Sequence, residues 1–250
     1  IHQKNISEGK KKVTMRIPIS IQKNQNHHII ESIRNLEEIL KISCWNSDWA
    51  TPSSKRGKFF IEQFDSDVIC LTEGYETLLP KDGYIISSHE DYGYKTKNGR
   101  KKVILWSRNE WTQIDQLGSK AIPSGRFISG ITNGIRVIGV CIPWRFAHVS
   151  TGRKDRKPWE DHLSFTQHLS FPNQKTIILG DFNQNIPKKS QPEIVFSSLK
   201  NMIDGFNLLT TNMGLIHIVI STDLIAESIE KIATENNSDH DGINCSIKFA

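Results

Sequence analysis

Thr176-Ile177-Ile178-Leu179-Gly180-Asp181-Phe182-Asn183 is an apolar, largely β-branched run that stops on a glycine, a carboxylate and an amide. A run this short, closed by a turn residue, reads as a buried strand that delivers polar groups at its end. Three more segments, far apart in the chain, carry similar groups: Cys44-Trp45-Asn46-Ser47-Asp48, Ile69-Cys70-Leu71-Thr72-Glu73 and Ser238-Asp239-His240. Each alone also fits an ordinary turn or capped loop, because Asp, Asn and Ser favour both. Four of them in one chain point to strand ends converging on one acidic pocket.

The residue types match the needs of phosphodiester hydrolysis. Positive charge must meet the phosphoryl oxygens, a water must be activated and the leaving oxygen must be helped. Magnesium takes oxygen ligands and keeps several waters, so one to three carboxylates suffice. Glu73 follows the strand Val68 to Leu71 and is the main candidate ligand, with Asp48 and Asp239 to complete or support the site. Asp181 is placed to orient or deprotonate the attacking water, and Asn183 and Asn46 to meet phosphate oxygens or hold a neighbouring carboxylate. His240 titrates near neutrality and can donate to the pentavalent phosphorus species. Mg²⁺ is the expected cofactor, with Mn²⁺ as a substitute.

Around these segments the pattern is mixed. Apolar positions at Ile29, Ile30, Ile33, Leu36, Ile39 and Leu40 predict a helix. Thr51-Pro52 predicts a second helix, with Thr as cap and Pro at its first position, running to about Phe64. Strands are predicted at Lys41 to Trp45, Val68 to Leu71, Tyr84 to Ile86, Val103 to Trp106, Phe127-Ile128 and Ile135 to Ile142. Asn133-Gly134 predicts a two-residue hairpin. Helices follow at Pro158 to Leu169 and Pro192 to Met202, and strands near Leu208, at Ile216 to Ile220 and at Ile243 to Phe249. Hairpins mixed with helical crossovers imply mixed sheets in an α/β (α+β) protein.

With 250 residues the chain has enough length for one sizeable core. We expect a basic, poorly ordered arm over residues 1–26 and a single domain over 27–250. The net charge of +5 favours anionic partners. Four cysteines, at 44, 70, 141 and 245, form no C-x-x-C pair, which argues against structural zinc or a disulfide framework and for buried reduced thiols. No stretch is long and apolar enough for a membrane helix, and the basic start lacks the apolar run of a secretory signal, so an intracellular, cytoplasmic placement is expected.

The four segments together resemble the endonuclease/exonuclease/phosphatase superfamily, which includes abasic-site endonucleases, deoxyribonuclease I and the sphingomyelinases. The family's strand-Asn-x-Asp start matches Trp45 to Asp48, its strand-x-Glu matches Asp67 to Glu73, its G-D-[FL]-N matches Gly180 to Asn183, and its terminal S-D-H matches Ser238 to His240. The resemblance runs from about Lys41 to the end. It implies a four-layered α/β sandwich, two mixed sheets face to face with helices outside. Two positions depart from the family pattern. The strand before the last motif usually carries an Asp that holds the catalytic His, and Ile216 stands there, with Asp223 or Glu235 as possible replacements. A His or Tyr that contacts phosphate usually stands near position 141, which is Cys here; Arg145 and His148 lie just beyond it.

For recognition, Arg153, Lys154, Arg156 and Lys157 form a basic run between Trp144 and Trp159. Cations meet phosphates and Trp stacks on bases, although the same run also fits a solvated loop leading into a helix. Arg100-Lys101-Lys102 is a second, weaker basic run. The reading is a Mg²⁺-dependent phosphoesterase, foremost a nuclease with nucleic acid as partner. The rivals are a phosphatase or phosphodiesterase on a small molecule or lipid headgroup, and a catalytically weakened member that binds nucleic acid or protein.

Overall fold

The computed structural model describes residues 39–90, 99–116, 124–150, 155–233 and 237–250. The expected arm at 1–26, the helix periodicity up to residue 38, and Arg153, Lys154 and Glu235 lie outside these residues.

Two sheets of six strands carry the described chain. The first contains β1 (Leu40–Asn46), β2 (Val68–Tyr75), β3 (Tyr84–Ser87), β4 (Arg100–Ser107), β11 (Leu224–Ile232) and β12 (Gly242–Phe249), in the order β11-β12-β1-β2-β4-β3. The second contains β5 (Thr112–Asp115), β6 (Phe127–Thr132), β7 (Ile135–Cys141), β8 (Thr176–Asp181), β9 (Asn207–Leu208) and β10 (Ile216–Ile220), in the order β5-β6-β7-β8-β10-β9. Each sheet has one parallel pair, β1 with β2 and β7 with β8. All other pairings are antiparallel.

Among the described residues four α-helices, α1 (Lys55–Gln63), α2 (Ala147–Ser150), α3 (Glu160–His168) and α4 (Glu193–Met202), accompany the sheets. Strand alternation sorts the side chains into layers. Ile42, Cys44, Val68, Cys70, Val103 and Leu105 of the first sheet meet Val137, Ile177, Leu179, Ile216 and Ile218 of the second in one inner core. The opposite faces pack outward: Trp45, Ile69 and Ile104 against Phe60 of α1, and Ile138, Ile178 and Val219 against Phe165 of α3 and Leu199 of α4. Helix, sheet, sheet and helix make the four-layered sandwich.

Local chemistry sets the connections. Asn133 and Gly134 turn the β6–β7 hairpin with φ of 51° and 70°, the left-handed values such a two-residue turn requires. Gly180 has φ 140°, and an added Cβ would lie 1.9 Å from the Val140 carbonyl oxygen, so only glycine lets β8 approach β7 here. All four cysteines are buried and free.

Several expectations change. Leu40 opens β1 instead of ending a helix, because its neighbours Ile42 and Cys44 join it in the inner core. The cap of α1 is Ser54, whose Oγ accepts from Gly57 N at 3.0 Å, while Thr51 forms the preceding turn. Strands β5 and β11 and the single turn α2 have no counterpart among the predicted elements. Strand β11 reads Leu-Ile-Ala-Glu-Ser-Ile-Glu-Lys-Ile, without two-residue alternation; the free edge of β12 makes it a strand, with a bulge at Ala226 to Ser228.

Candidate active site

Asn46 and Asp181 continue the inward-facing rows Ile42-Cys44 and Ile177-Leu179, at the ends of the two parallel pairs. There the two sheets join by a hydrogen bond, Asn46 Nδ2 donating to Asp181 Oδ2 at 3.0 Å. Asp181 Oδ1 accepts from the backbone N–H of Asn183 at 2.9 Å. Asn46 is in turn fixed by its Oδ1, which accepts from Asp48 N at 2.8 Å. Asn183 donates from Nδ2 to the Ile142 carbonyl at 2.9 Å. Burial pushes the Asp181 carboxyl up to about 6, and the charge of Glu73 adds to that; His240, the Asn183 N–H and the Asn46 amide oppose it. A carboxylate held in place with proton affinity near neutrality is suited to take a proton from water.

The loops are locked to one another. Ser238 Oγ donates to the Asn46 carbonyl at 2.7 Å, and His240 N donates to Ser238 Oγ at 3.2 Å. Trp49 N donates to the Glu73 carbonyl at 2.7 Å, and Ser47 Oγ to the same oxygen at 2.8 Å. Arg56 of α1, a residue the motif reading passed over, donates to the carbonyls of Asn237, Ser47 and Asp48 and to Asp48 Oδ2 at 2.7 Å. Asp48, Trp49, Glu73 and Asn183 all have positive φ, between 43° and 59°. Strain of this kind persists only where surrounding contacts over-determine the backbone, and these bonds supply the constraint.

The three carboxylates expected at the metal are not gathered equally. Glu73 is close enough for its charge to act on Asp181, and its Oε1 is paired with the ammonium of Lys102. Asp48 is turned onto Arg56, and Asp239 is largely exposed, its Oδ1 3.4 Å from His240 Nε2. Among the described residues no three His, Cys, Asp or Glu side chains are grouped to hold one ion. Magnesium is nonetheless satisfied by one or two carboxylates and several waters. Glu73 fits that demand: it is a hard, partly exposed oxygen donor, and its repulsion of Asp181 is of the kind a cation relieves.

Ile216 is buried directly across the ladder from Asp181. Asp223 does not take its place, because it holds the far end of β10 through Ser221 Oγ and the backbone N–H of Lys175. Cys141 pairs in register with Asp181 and is buried, which pushes its thiol up to about 12. It is a buried, neutral thiol beside Asp181.

Recognition residues separate in the same way. Trp144, 44% exposed, and Arg145 project just beyond β7, next to the Asn183 anchor at Ile142. Arg145 lies over the Phe146 ring at 4.7 Å and Trp144 meets that ring edge-on at 5.4 Å. His148 is buried, its ring against Phe146, instead of facing a ligand. Arg156 folds back onto the acidic first turn of α3, 3.2 Å from Glu160 and 3.4 Å from Asp161, and so is drawn away from the phosphate contact expected of it. Lys157 is exposed.

Behind the Asp181 loop lies a buried polar network that the motifs gave no sign of. His162 Nδ1 donates to the Pro143 carbonyl at 2.7 Å, which leaves Nε2 to accept from Gln184 Nε2 at 2.6 Å. Gln184 Nε2 also donates to the Val195 carbonyl, and its backbone carbonyl accepts from His217 Nε2. Burial lowers both imidazoles to about 4, so both are neutral.

A sequence model of the endonuclease/exonuclease/phosphatase family matches residues 60–188. That is more than half of the 250 residues, and the chain belongs to this family of phosphoesterases. The match includes Glu73 and the Gly180 to Asn183 segment; Asn46, Asp48 and Ser238 to His240 join them through the fold. Comparison with curated proteins finds no match. Among solved structures, the endonuclease domain of TRAS1, a telomere-specific non-LTR retrotransposon, superposes with TM-score 0.58 at 11% identity, over 85% of this chain and 99% of that one. An AP endonuclease from Archaeoglobus fulgidus gives 0.58 at 15%, over 82% and 98%. A variant of the 3′ phosphatase NExo from Neisseria, bound to product DNA hairpin, gives 0.54 at 15%, over 84% and 99%. At these identities the likeness is one of fold. No helix among the described residues is long and apolar enough to cross a membrane.

Proposed function

We propose that this protein is a Mg²⁺-dependent phosphodiesterase acting on nucleic acid. The observation that carries the reading is Asp181: a buried carboxylate with a proton affinity raised to about 6, fixed by Asn46 and Asn183 and flanked by Glu73 and His240. Asp181 accepts the proton of the attacking water. Asn46 keeps that carboxylate aimed, and Asn183 fixes the loop that carries it. His240 donates to a phosphoryl oxygen as charge builds there. Magnesium, held through Glu73, would polarise the phosphoryl group and stabilise the leaving oxygen.

Nucleic acid is favoured over a small substrate by the exposed Trp144 and Arg145 at the pocket rim, which suit a base face and a phosphate. The DNA hairpin bound to the Neisseria phosphatase supports the same choice. Ile216 favours a second reading, a member that binds nucleic acid but turns it over slowly, since no carboxylate stands at that position to hold His240.

The test is a substrate panel with and without Mg²⁺ or Mn²⁺: supercoiled plasmid, abasic duplex, RNA, a phosphomonoester and a generic diester. Metal-dependent cleavage of a polynucleotide, lost in Glu73→Gln and Asp181→Asn, is expected. Cleavage of the small esters alone refutes the nuclease reading. Binding of oligonucleotides with no turnover of any substrate selects the second one.

A further inference from the structure

The basic run at the start of β4 divides between two faces of the sheet. Lys101 pairs with Glu90 at 3.4 Å. Arg100 and Lys102, two residues apart and so on one face, share the ring of Trp49: Arg100 Cζ lies 4.7 Å and Lys102 Nζ 5.0 Å from its centroid. The Lys102 side chain is 5% exposed, and its ammonium is bonded to Glu73 Oε1. A lysine ordinarily extends its charge into water. This one is held inside, between a carboxylate and an aromatic face that attracts cations. Its charge also reaches Cys141, where it is the main influence opposing the effect of burial on the thiol.

We infer that Lys102 is a resident cation of the site that competes with the divalent metal for Glu73. The inference rests on the proposed role of Glu73 as metal ligand. A metal ion entering the pocket meets a carboxylate whose charge is already countered and one of whose oxygens is occupied. It must displace the ammonium, or bind beside it against repulsion. Lys102 is thus a positioning residue: it holds Glu73 in place at low metal concentration and sets the concentration at which metal takes over. Trp49, with φ 59° and its N–H on the Glu73 carbonyl, keeps the ring under the ammonium and the backbone of the ligand in register.

The experiment is calorimetric titration of Mn²⁺ into metal-free wild type, Lys102→Gln, Lys102→Arg and Glu73→Gln, with melting curves for each. Lys102→Gln keeps a donor for Glu73 but removes the charge, and should bind Mn²⁺ about 10-fold or more tighter, because a positive charge a few ångströms away no longer repels the ion. Lys102→Arg keeps the charge, and so the repulsion felt by the ion, and should stay within about 3-fold of wild type. Glu73→Gln should lose binding. A supporting structural role alone would move Lys102→Gln the other way, toward weaker binding.

If Glu73→Gln loses binding while Lys102→Gln binds no tighter than wild type, the competition is refuted and the metal reading stands. If Glu73→Gln binds like wild type, the metal lies elsewhere and both readings fall. Should Lys102→Gln not fold, Trp49→Leu removes the ring that holds the ammonium in place. It should also bind Mn²⁺ more tightly, and unchanged or weaker affinity in that variant overturns the inference.

Discussion

Asp181→Asn is expected to make the protein inactive and, at neutral pH, relatively more stable. The carboxyl has its proton affinity raised from 3.8 to about 6, chiefly by burial, so the folded state holds its proton more tightly than the unfolded chain. Stability of the wild type is therefore full below the unfolded value and is lost as pH rises through the folded one. Holding the proton up to about 6 instead of 3.8 corresponds to at most about 3 kcal/mol. About 2 kcal/mol of it falls between about pH 4.5 and about pH 7.5 by the same linkage. The asparagine has no such dependence. It does place an N–H₂ where both partners, Asn46 Nδ2 and Asn183 N, are donors. That conflict costs about 1–2 kcal/mol and does not vary with pH.

The quantity to measure is thus the difference in unfolding free energy between wild type and variant, by urea titration across that pH range. The variant should gain about 2 kcal/mol on the wild type from the acid to the neutral end, while kcat drops by about 10²-fold or more, as for loss of a general base. A flat difference across the range would mean that Asp181 titrates like an ordinary carboxylate, and the proton-acceptor argument would fail with it.

Glu73→Gln should abolish metal-dependent turnover while leaving the fold intact, checked by activity and circular dichroism; retained turnover places the metal on another residue. Acid should weaken the protein through His162 and His217: both are lowered to about 4 in the fold, so their contribution is full above 6.5 and is lost as pH falls from there through about 4. Each ring is worth up to about 3 kcal/mol across that window, together more than the roughly 2 kcal/mol that Asp181 contributes in the opposite sense, and a melting temperature that does not fall between those pH values contradicts the neutral state of the two rings. Replacing Trp144 and Arg145 together by Ala should weaken oligonucleotide binding and, for a lost phosphate contact, reduce the slope of log K against log salt by about 0.7–0.9. Hydrolysis of a small diester should hardly change, and equal loss on both substrates would place these residues in the chemistry instead. Ile216→Asp adds a carboxylate across the ladder from Asp181 and should move the acid limb of the pH–rate profile upward through like-charge repulsion; an unmoved limb means the two side chains do not sense each other.

Most of the strands, the Asn133-Gly134 hairpin and the polar groups at the strand ends follow from sequence alone. Those signals are local: β-branched runs, turn residues with left-handed φ, and carboxylates at the ends of apolar segments. The family resemblance rests on the same short segments, and the sandwich it implied is the one observed. Strand β11 was not legible, because its residues do not alternate and its conformation comes from the edge of β12. The partition of the charged residues was equally hidden. Sequence spacing makes Arg156 and Lys102 alike, two cations in basic runs. Folding turns one onto Glu160 and Asp161 and the other onto Glu73, because ion pairing depends on which segments meet, and segments 201 residues apart in the chain meet here, as Ser43 and Asn244 do. Arg56, clamped across three loops, and the His162–Gln184–His217 network are likewise products of that assembly. The sequence determined which groups stand at the strand ends; the packing of one sheet on the other decided which of them share a pocket, and which carboxylate already has a cation beside it.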